Sequence, residues 1–259
     1  MSPFLGSNNP LFGLKHWICI GLCVVLIAVL FFVLKNKSFR TVCGVFFYCG
    51  IVSEIVKIFY YSHTNEATYG GILPKTDLPF HLCSIQIIFI TILYLFKNEK
   101  LNRFLLSFMR PSCLFGGIAA ILIATGSSRN GGWIITTQYF GYHAILVVFS
   151  LYLYTSKEIE FKLSDYLNCL KFLLVLMFFA FYINSILYDG VANVNFMYVI
   201  NPPQDGLPFL NKNQGWFVYV LKYATLIMVC VTLSYIVPIV KGIKEKLGKP
   251  AVETTETNE

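Results

Sequence analysis

Read from its amino end, the chain is a succession of apolar runs, each about as long as a helix needs to cross the hydrocarbon layer of a bilayer. Seven runs qualify: His16–Leu34, Thr41–Tyr61, Leu78–Phe96, Leu101–Thr125, Trp133–Thr155, Tyr166–Tyr188 and Trp216–Val240. The first has the position of a secretory signal. Its apolar stretch is too long, no small-residue cleavage site follows, and Lys35 and Lys37 come next, so it is expected to stay as a helix. The pattern predicts an all-α polytopic membrane protein: one domain over residues 1–241 with seven transmembrane helices, then a disordered tail over 242–259. The acidic stretch Glu253 to Glu259 has no apolar periodicity, as a disordered end requires.

Composition agrees. Of 259 residues 56% are apolar and 13% charged, where a soluble domain carries about 25% charged residues. That excludes a soluble enzyme, a disordered chain and a secreted disulfide scaffold. The net charge of +7 does not point to nucleic acid, because no basic groove with interleaved aromatics accompanies it. The positive charges instead set topology. The first, third and fifth loops and the tail hold Lys35, Lys37, Arg40, Lys97, Lys100, Arg103, Lys157, Lys162, Lys241, Lys244, Lys246 and Lys249, twelve in all. The amino terminus and the alternate loops hold Lys15, Lys75, Arg129 and Lys212. Twelve against four predicts an outer N-terminus and a cytoplasmic C-terminus in the cell (plasma) membrane. Trp17, Trp133 and Trp216 then fall at outer ends, where an aromatic belt lies.

The outer connections Tyr61 to Asp77 and Asp189 to Gly215 are long and rich in Gly, Asn, Pro and Asp. Asn195-Phe196-Met197-Tyr198, followed by Pro202-Pro203 and Pro208, is too apolar for a free linker. It is expected to fold back as a lid on the outer mouth, which makes Asn195 and Tyr198 candidate binding residues. Cys19, Cys23, Cys43, Cys49, Cys83, Cys113, Cys169 and Cys230 all fall within spans, as small apolar packers do.

Polar groups within hydrocarbon are costly and so mark function. At 1.5 Å per residue, Glu54 lies roughly 10 Å below the outer end, with Lys57 one turn above it. His81, Cys83 and Gln86 share the outer third of the third span, Gln138 and Tyr139 that of the fifth, and His143 lies roughly 15 Å down. Asn184 and Lys222 extend the layer to the last two spans. Together these predict an outward-facing polar cavity. Taken singly, each has a plainer reading. Glu54 and Lys57 can simply pair. His81 can sit at the interface, with Asp77 as N-cap and Pro79 in the first turn. Gln138 and Asn184 can be interhelical glue worth ~0.6 kcal/mol each. In the inner half, Arg110 and Lys171 are expected to snorkel.

Two chemistries suit the layer. Cys83 with His143 as base makes a nucleophile, and Gln86 on the Cys83 face is a candidate donor to a substrate carbonyl. His81, His143 and Glu54 would make a three-ligand zinc site with an open position, but no HxxxH spacing supports it, and no metal or cofactor is expected. The non-catalytic alternative is an ion, lipid or small-molecule binding or transport protein built on Glu54, Lys57 and Lys222.

Leu78-Pro79-Phe80-His81-Leu82-Cys83, Tyr142-His143-Ala144 and Asn195-Phe196-Met197-Tyr198 before Pro202-Pro203 resemble the YwaF-like integral membrane family of bacteria over nearly the whole chain. That family is similar to animal membrane phospholipid acyltransferases and, more distantly, to androgen-inducible fatty-ester hydrolases. The resemblance implies a seven-helix fold, a membrane-lipid substrate and His143 as general base. In the related branches the nucleophile stands close to the histidine of the third helix, where this chain has Phe80. Either Cys83 serves or catalysis is absent.

Overall fold

The computed structural model describes residues 10–64, 73–190, 194–204, 207, 209–211, 213 and 215–247. It is helical, with no β-strand among the described residues. In chain order the helices are α1 (Leu14–Leu34), α2 (Phe39–Thr64), α3 (Leu82–Leu95), α4 (Glu99–Leu122), α5 (Gly126–Asn130), α6 (Trp133–Thr155), α7 (Leu163–Leu187), α8 (Trp216–Ser234) and α9 (Ile236–Leu247). Six of them, α1, α2, α4, α6, α7 and α8, are long and apolar enough to cross a membrane.

The third expected span is the exception. Its helix has 14 residues, about 21 Å of rise, against a hydrocarbon core of about 30 Å. Leu78 precedes a proline and is extended (ψ 153°), as steric clash with the proline ring demands. His81 is extended as well (φ −72°, ψ 154°) and occupies the N-cap position. Asp77, expected as the cap, instead closes a separate 3₁₀ turn over Lys75–Asp77.

Prolines shape two further elements. Pro111 lies inside α4, and the residues after it, Ser112–Gly116, form a π-helical turn. Proline cannot donate to the carbonyl four residues back. That carbonyl, of Ser107, instead accepts a hydrogen bond from the buried Tyr235 hydroxyl at 2.6 Å. The last expected span does not run unbroken to Val240. Pro238 removes the bond to Ser234, and the helix breaks at Tyr235. Residues 242–247, expected in a disordered tail, continue α9. Pro208, Lys212, Lys249 and the acidic stretch Glu253 to Glu259 lie outside the described residues.

Hydrogen bonds between helix ends fix an up-and-down bundle. His16 at the start of α1 bonds the Ile121 carbonyl at the end of α4 (3.0 Å), and the Gly132 N–H before α6 bonds the Tyr60 hydroxyl near the end of α2 (3.2 Å). At the opposite end, the Phe39 N–H meets Glu158 (3.0 Å) and the Tyr152 hydroxyl meets the Lys37 carbonyl (3.0 Å). Trp17, Trp133 and Trp216 are exposed in first turns at one end, here called the lid end. The other end carries Lys37, Arg103, Glu160 and Lys241 and is called the basic end.

The core follows from which helices are apolar all round. α4 and α6 are 61% buried along their apolar windows, whereas α1, α7 and α8 show 22%, 17% and 17% and present Leu, Val, Ile and Phe outward. α6 is the central post, packed on α1, α2 and α4, and α3 fits between α2 and α4. Gly117 permits a close approach of α4 to α6: a Cβ there would lie 2.8 Å from Val147 Cγ2 and 3.0 Å from the His143 carbonyl oxygen.

Candidate functional site

The late start of α3 gives Cys83 its setting. It puts Cys83 in the first turn, where backbone N–H groups have no carbonyl partner four residues back. The first such bond runs from Ile85 N–H to the His81 carbonyl (3.0 Å). No side chain caps the helix. A helix N-terminus favours negative charge beside it, so this turn suits a thiolate and an oxyanion alike.

Opposite stands His143, midway along α6 and 3% exposed. Its Nδ1 lies 2.7 Å from the Tyr139 carbonyl oxygen. A carbonyl only accepts, so Nδ1 carries a proton, and in the neutral ring Nε2 is the nitrogen with the lone pair. The His143 side chain lies close enough to the Cys83 thiol to act on it electrostatically, while the thiol's own contact is with Ser84 Oγ at 4.0 Å. A histidine from another helix thus stands beside the cysteine. The Tyr139 ring packs on the imidazole with centroids 4.3 Å apart, and the Tyr142 hydroxyl donates to the Cys83 carbonyl at 2.9 Å, tying α6 to α3.

Around the pair is a polar group drawn from α2 and the segment before α3. Lys57 pairs with Glu54 at 2.5 Å, the plainer of the two sequence readings, and also lies within electrostatic range of Cys83, His81 and Asp77. Asp77 accepts a hydrogen bond from Thr76 Oγ1 at 3.1 Å and has Tyr61 nearby, and burial raises its carboxyl pKa from the ordinary value. His81 faces away from solvent with its ring 5.0 Å from that of Phe196 and 5.5 Å from that of Tyr198.

The segment 194–204 does fold back as a lid. Asn184 clamps it: its amide oxygen accepts from the Phe196 N–H (2.7 Å) and its amide nitrogen donates to the Phe196 carbonyl (3.1 Å). Asn195 organises the turn, accepting from the Ile200 and Asn201 N–H groups and donating to the Asn201 carbonyl. The Trp216 indole donates to the Val199 carbonyl at 3.1 Å. Met197 and Tyr198 are both left-handed (φ 56° and 53°), a conformation costing about 1–3 kcal/mol per residue that survives only where its surroundings enforce it. Phe196 and Met197 are buried, while Cys83, His81, Tyr139 and Tyr198 stay half-buried. The segment therefore packs over His81, where the sequence suggests an open cavity. Two clefts lie elsewhere, one of about 430 Å³ lined by Ser38, Arg40, Thr41, Gly44, Val45, Tyr48 and Tyr94, the other of about 130 Å³ and apolar between α1 and α6.

The remaining expected site residues have other duties. The Gln86 amide nitrogen is already engaged by the Leu82 carbonyl and Ser112 Oγ, both at 3.1 Å, and its oxygen accepts from Cys113. Gln86 therefore braces the π-turn and is no donor to a substrate carbonyl. Gln138 donates to Ser53 Oγ at 2.7 Å and is interhelical glue. Asn184 and Asn195 are structural clamps. Lys222 lies over the Phe209 ring, 5.9 Å from its centre, and is not the partner of Glu54. Among the described residues no three His, Cys, Asp or Glu converge to hold a metal ion, so His81, His143 and Glu54 do not form the alternative zinc set. Asp77, Tyr61 and Tyr142 belong to the cluster without having been singled out. Tyr142 adjoins His143 in the sequence, but Asp77 and Tyr61 carry no signal beyond flanking a long loop.

The family model of the TMEM164 family matches residues 11–235, a stretch that includes every residue of this site. Neither a curated protein sequence nor a solved structure matches the chain significantly.

Proposed function

The chain belongs to the TMEM164 family, a multi-pass membrane family, and from that premise we propose that it transfers or hydrolyses acyl groups of membrane lipids through Cys83 and His143. The observation that supports the reading is the docking of α6 on the first turn of α3 through the Tyr142 hydroxyl and the Cys83 carbonyl, which sets His143, with Nδ1 against a carbonyl, close enough to act on the Cys83 thiol electrostatically. The similarity of the sequence motifs to YwaF-like proteins and their acyltransferase relatives supports it further.

In this reading His143 Nε2 takes the thiol proton while sulfur attacks the ester carbonyl carbon of a phospholipid. Negative charge on the carbonyl oxygen is met by the free N–H groups of the first turn of α3. The C–O bond to the glycerol oxygen breaks, and that oxygen leaves with the proton from His143. A thioester on Cys83 remains. Water or an acceptor hydroxyl, deprotonated by His143, then attacks it and restores the thiol. The substrate enters the recess when the lid lifts. The lid end faces outward and the basic end the cytoplasm of the plasma membrane, an orientation supported by the twelve-to-four distribution of Lys and Arg.

The test is turnover of acyl-labelled phospholipid by the purified chain in lipid nanodiscs, with and without an acceptor lyso-lipid. Cys83→Ala and His143→Ala are expected to abolish release and transfer at unchanged melting temperature. A hydroxylamine-labile acyl adduct should map to Cys83. Turnover surviving Cys83→Ala would falsify the assignment. A binding or transport protein built on Glu54 has less support, because that carboxylate is matched by Lys57 and not by Lys222. It predicts ligand flux lost in Glu54→Gln.

A further inference from the structure

Unlike Lys57, Arg110 has no counter-charge among the described residues. Arg110 is expected to snorkel to the membrane surface, but the structure keeps it inside: it is 7% exposed, in α4 one residue before Pro111. Its guanidinium carbon lies 4.2 Å from the centre of the Tyr154 ring, 4.5 Å from that of Phe161 and 5.0 Å from that of Tyr235. These rings reach it from α6, from the α6–α7 loop and from the break between α8 and α9. Aromatic faces attract a cation, but they do not accept the in-plane N–H groups. Nε and Nη1 are both buried and both without a hydrogen-bond partner.

No carboxylate supplies what is missing. Among the described residues the ion pairs are Lys57–Glu54, Lys75–Asp189, Arg103–Asp165 and Lys241–Glu160. Asp165, the fully buried acid of this end, is taken bidentately by Arg103 Nε (2.8 Å) and Nη2 (2.6 Å) and by the Lys162 N–H (2.7 Å). The walls are also held in place independently of Arg110. Tyr235 is anchored on Ser107, Tyr154 on Ser234, and Ser150 holds the Arg110 carbonyl. A buried, positioned, unpaired guanidinium is strongly unfavourable unless an anion completes it.

We infer that Arg110 and its cage of Tyr154, Phe161 and Tyr235 hold a phosphate-type oxyanion, whose oxygens accept along one edge of the guanidinium, from Nη2 together with Nε or Nη1. The site sits at the basic end, where Lys37, Lys97, Lys100 and Lys157, outside the ion pairs of the described residues, raise the local concentration of phosphate-bearing anions. Ser150 bonds the Arg110 carbonyl and stands seven residues beyond His143 on α6, about 10 Å further along the helix. The anion site is thus separate from the cysteine recess, and its existence does not depend on the proposed acyl chemistry. The phosphate belongs either to a phospholipid headgroup or to a soluble molecule. Ile236, Val237, Val240 and Ile243 stand exposed on α9 beside Lys241, a pattern suited to a helix lying in a headgroup layer.

The full chain, purified in a phosphate-free glycoside detergent, is titrated separately with phosphatidylglycerol, inorganic phosphate and diacylglycerol while its melting temperature is followed. At a hundredfold excess over Kd the ligand should raise it by roughly 5–10 °C. A response to phosphatidylglycerol alone identifies a lipid headgroup, a response to inorganic phosphate as well identifies a soluble ligand, and diacylglycerol should do nothing. Arg110→Lys keeps the charge without the fork and should weaken binding at least about tenfold. Arg110→Gln should abolish it. Should either variant fail to fold, phosphorus analysis of the wild-type chain after exhaustive detergent exchange still decides: about one phosphorus per chain, released on acid precipitation, is expected. No bound phosphorus together with no thermal response in the wild type overturns the inference, as does an undiminished response in Arg110→Gln.

Discussion

Removing the Asn184 amide should open the lid. Asn184 is 2% exposed and Phe196 fully buried, and the amide satisfies both the N–H and the carbonyl of Phe196. In Asn184→Ala both backbone groups lose their partner in a dry setting. Each orphaned group costs about 1–3 kcal/mol, so docking of the lid weakens by about 2–6 kcal/mol. The left-handed Met197 and Tyr198 add to the effect, because their strain is released when the segment lifts. Even the lower figure raises the open fraction roughly thirtyfold. Asn184→Asp keeps the acceptor for the Phe196 N–H and loses the donor, so it should fall between wild type and Asn184→Ala. Two readouts follow the lid directly. Hydrogen exchange of the peptide spanning 194–200 should speed up in the order wild type, Asp, Ala. Alkylation of Cys83 by a water-soluble maleimide, quantified on the Cys83 peptide, should speed up in the same order. If exchange accelerates while Cys83 labelling stays constant, the lid does not govern access to the cysteine. If neither changes, Asn184 does not hold the lid.

Other substitutions test the packing around the site. Gly117→Ala forces a methyl against Val147 and the His143 carbonyl and should destabilise by about 1–3 kcal/mol; thermal unfolding reads the cost, and slower Cys83 alkylation would report the displaced α6. Tyr235→Phe leaves the Ser107 carbonyl, already abandoned by Pro111, without a donor and should cost about 1–3 kcal/mol in unfolding experiments. Glu54→Gln and Lys57→Met each strand the other member of a largely buried pair, so the double variant should be more stable than the sum of the single losses implies, by a coupling of about 0.5–3 kcal/mol. A coupling near zero would mean that water already screens the pair.

The class of protein and six of the seven expected spans were legible because hydropathy and helix length are local properties. So was the pairing of Glu54 with Lys57, which a spacing of three residues nearly guarantees on a helix. The lid, too, could be read from a loop too apolar to stay in water. The start of α3 was misplaced, because an Asp followed by Leu-Pro offers an acceptable helix entry and only the extended backbone at Leu78 and His81 rejects it. That shift of four residues shortened the helix below a full crossing and placed Cys83 in an uncapped first turn.

Taken alone, then, the order of residues determined that this chain is helical, crosses a membrane several times and holds a thin layer of polar groups near one end. Residue type and short-range spacing suffice for that. Only the tertiary structure decided which of those groups act together. It brought Cys83 near His143 across two helices, spent Gln86, Gln138, Asn184 and Asn195 on internal hydrogen bonds, set Lys222 apart, and enclosed Arg110 among three rings with no carboxylate of the described residues beside it. Such choices depend on which helix faces meet, and a face is defined by its neighbours rather than by the segment that carries it.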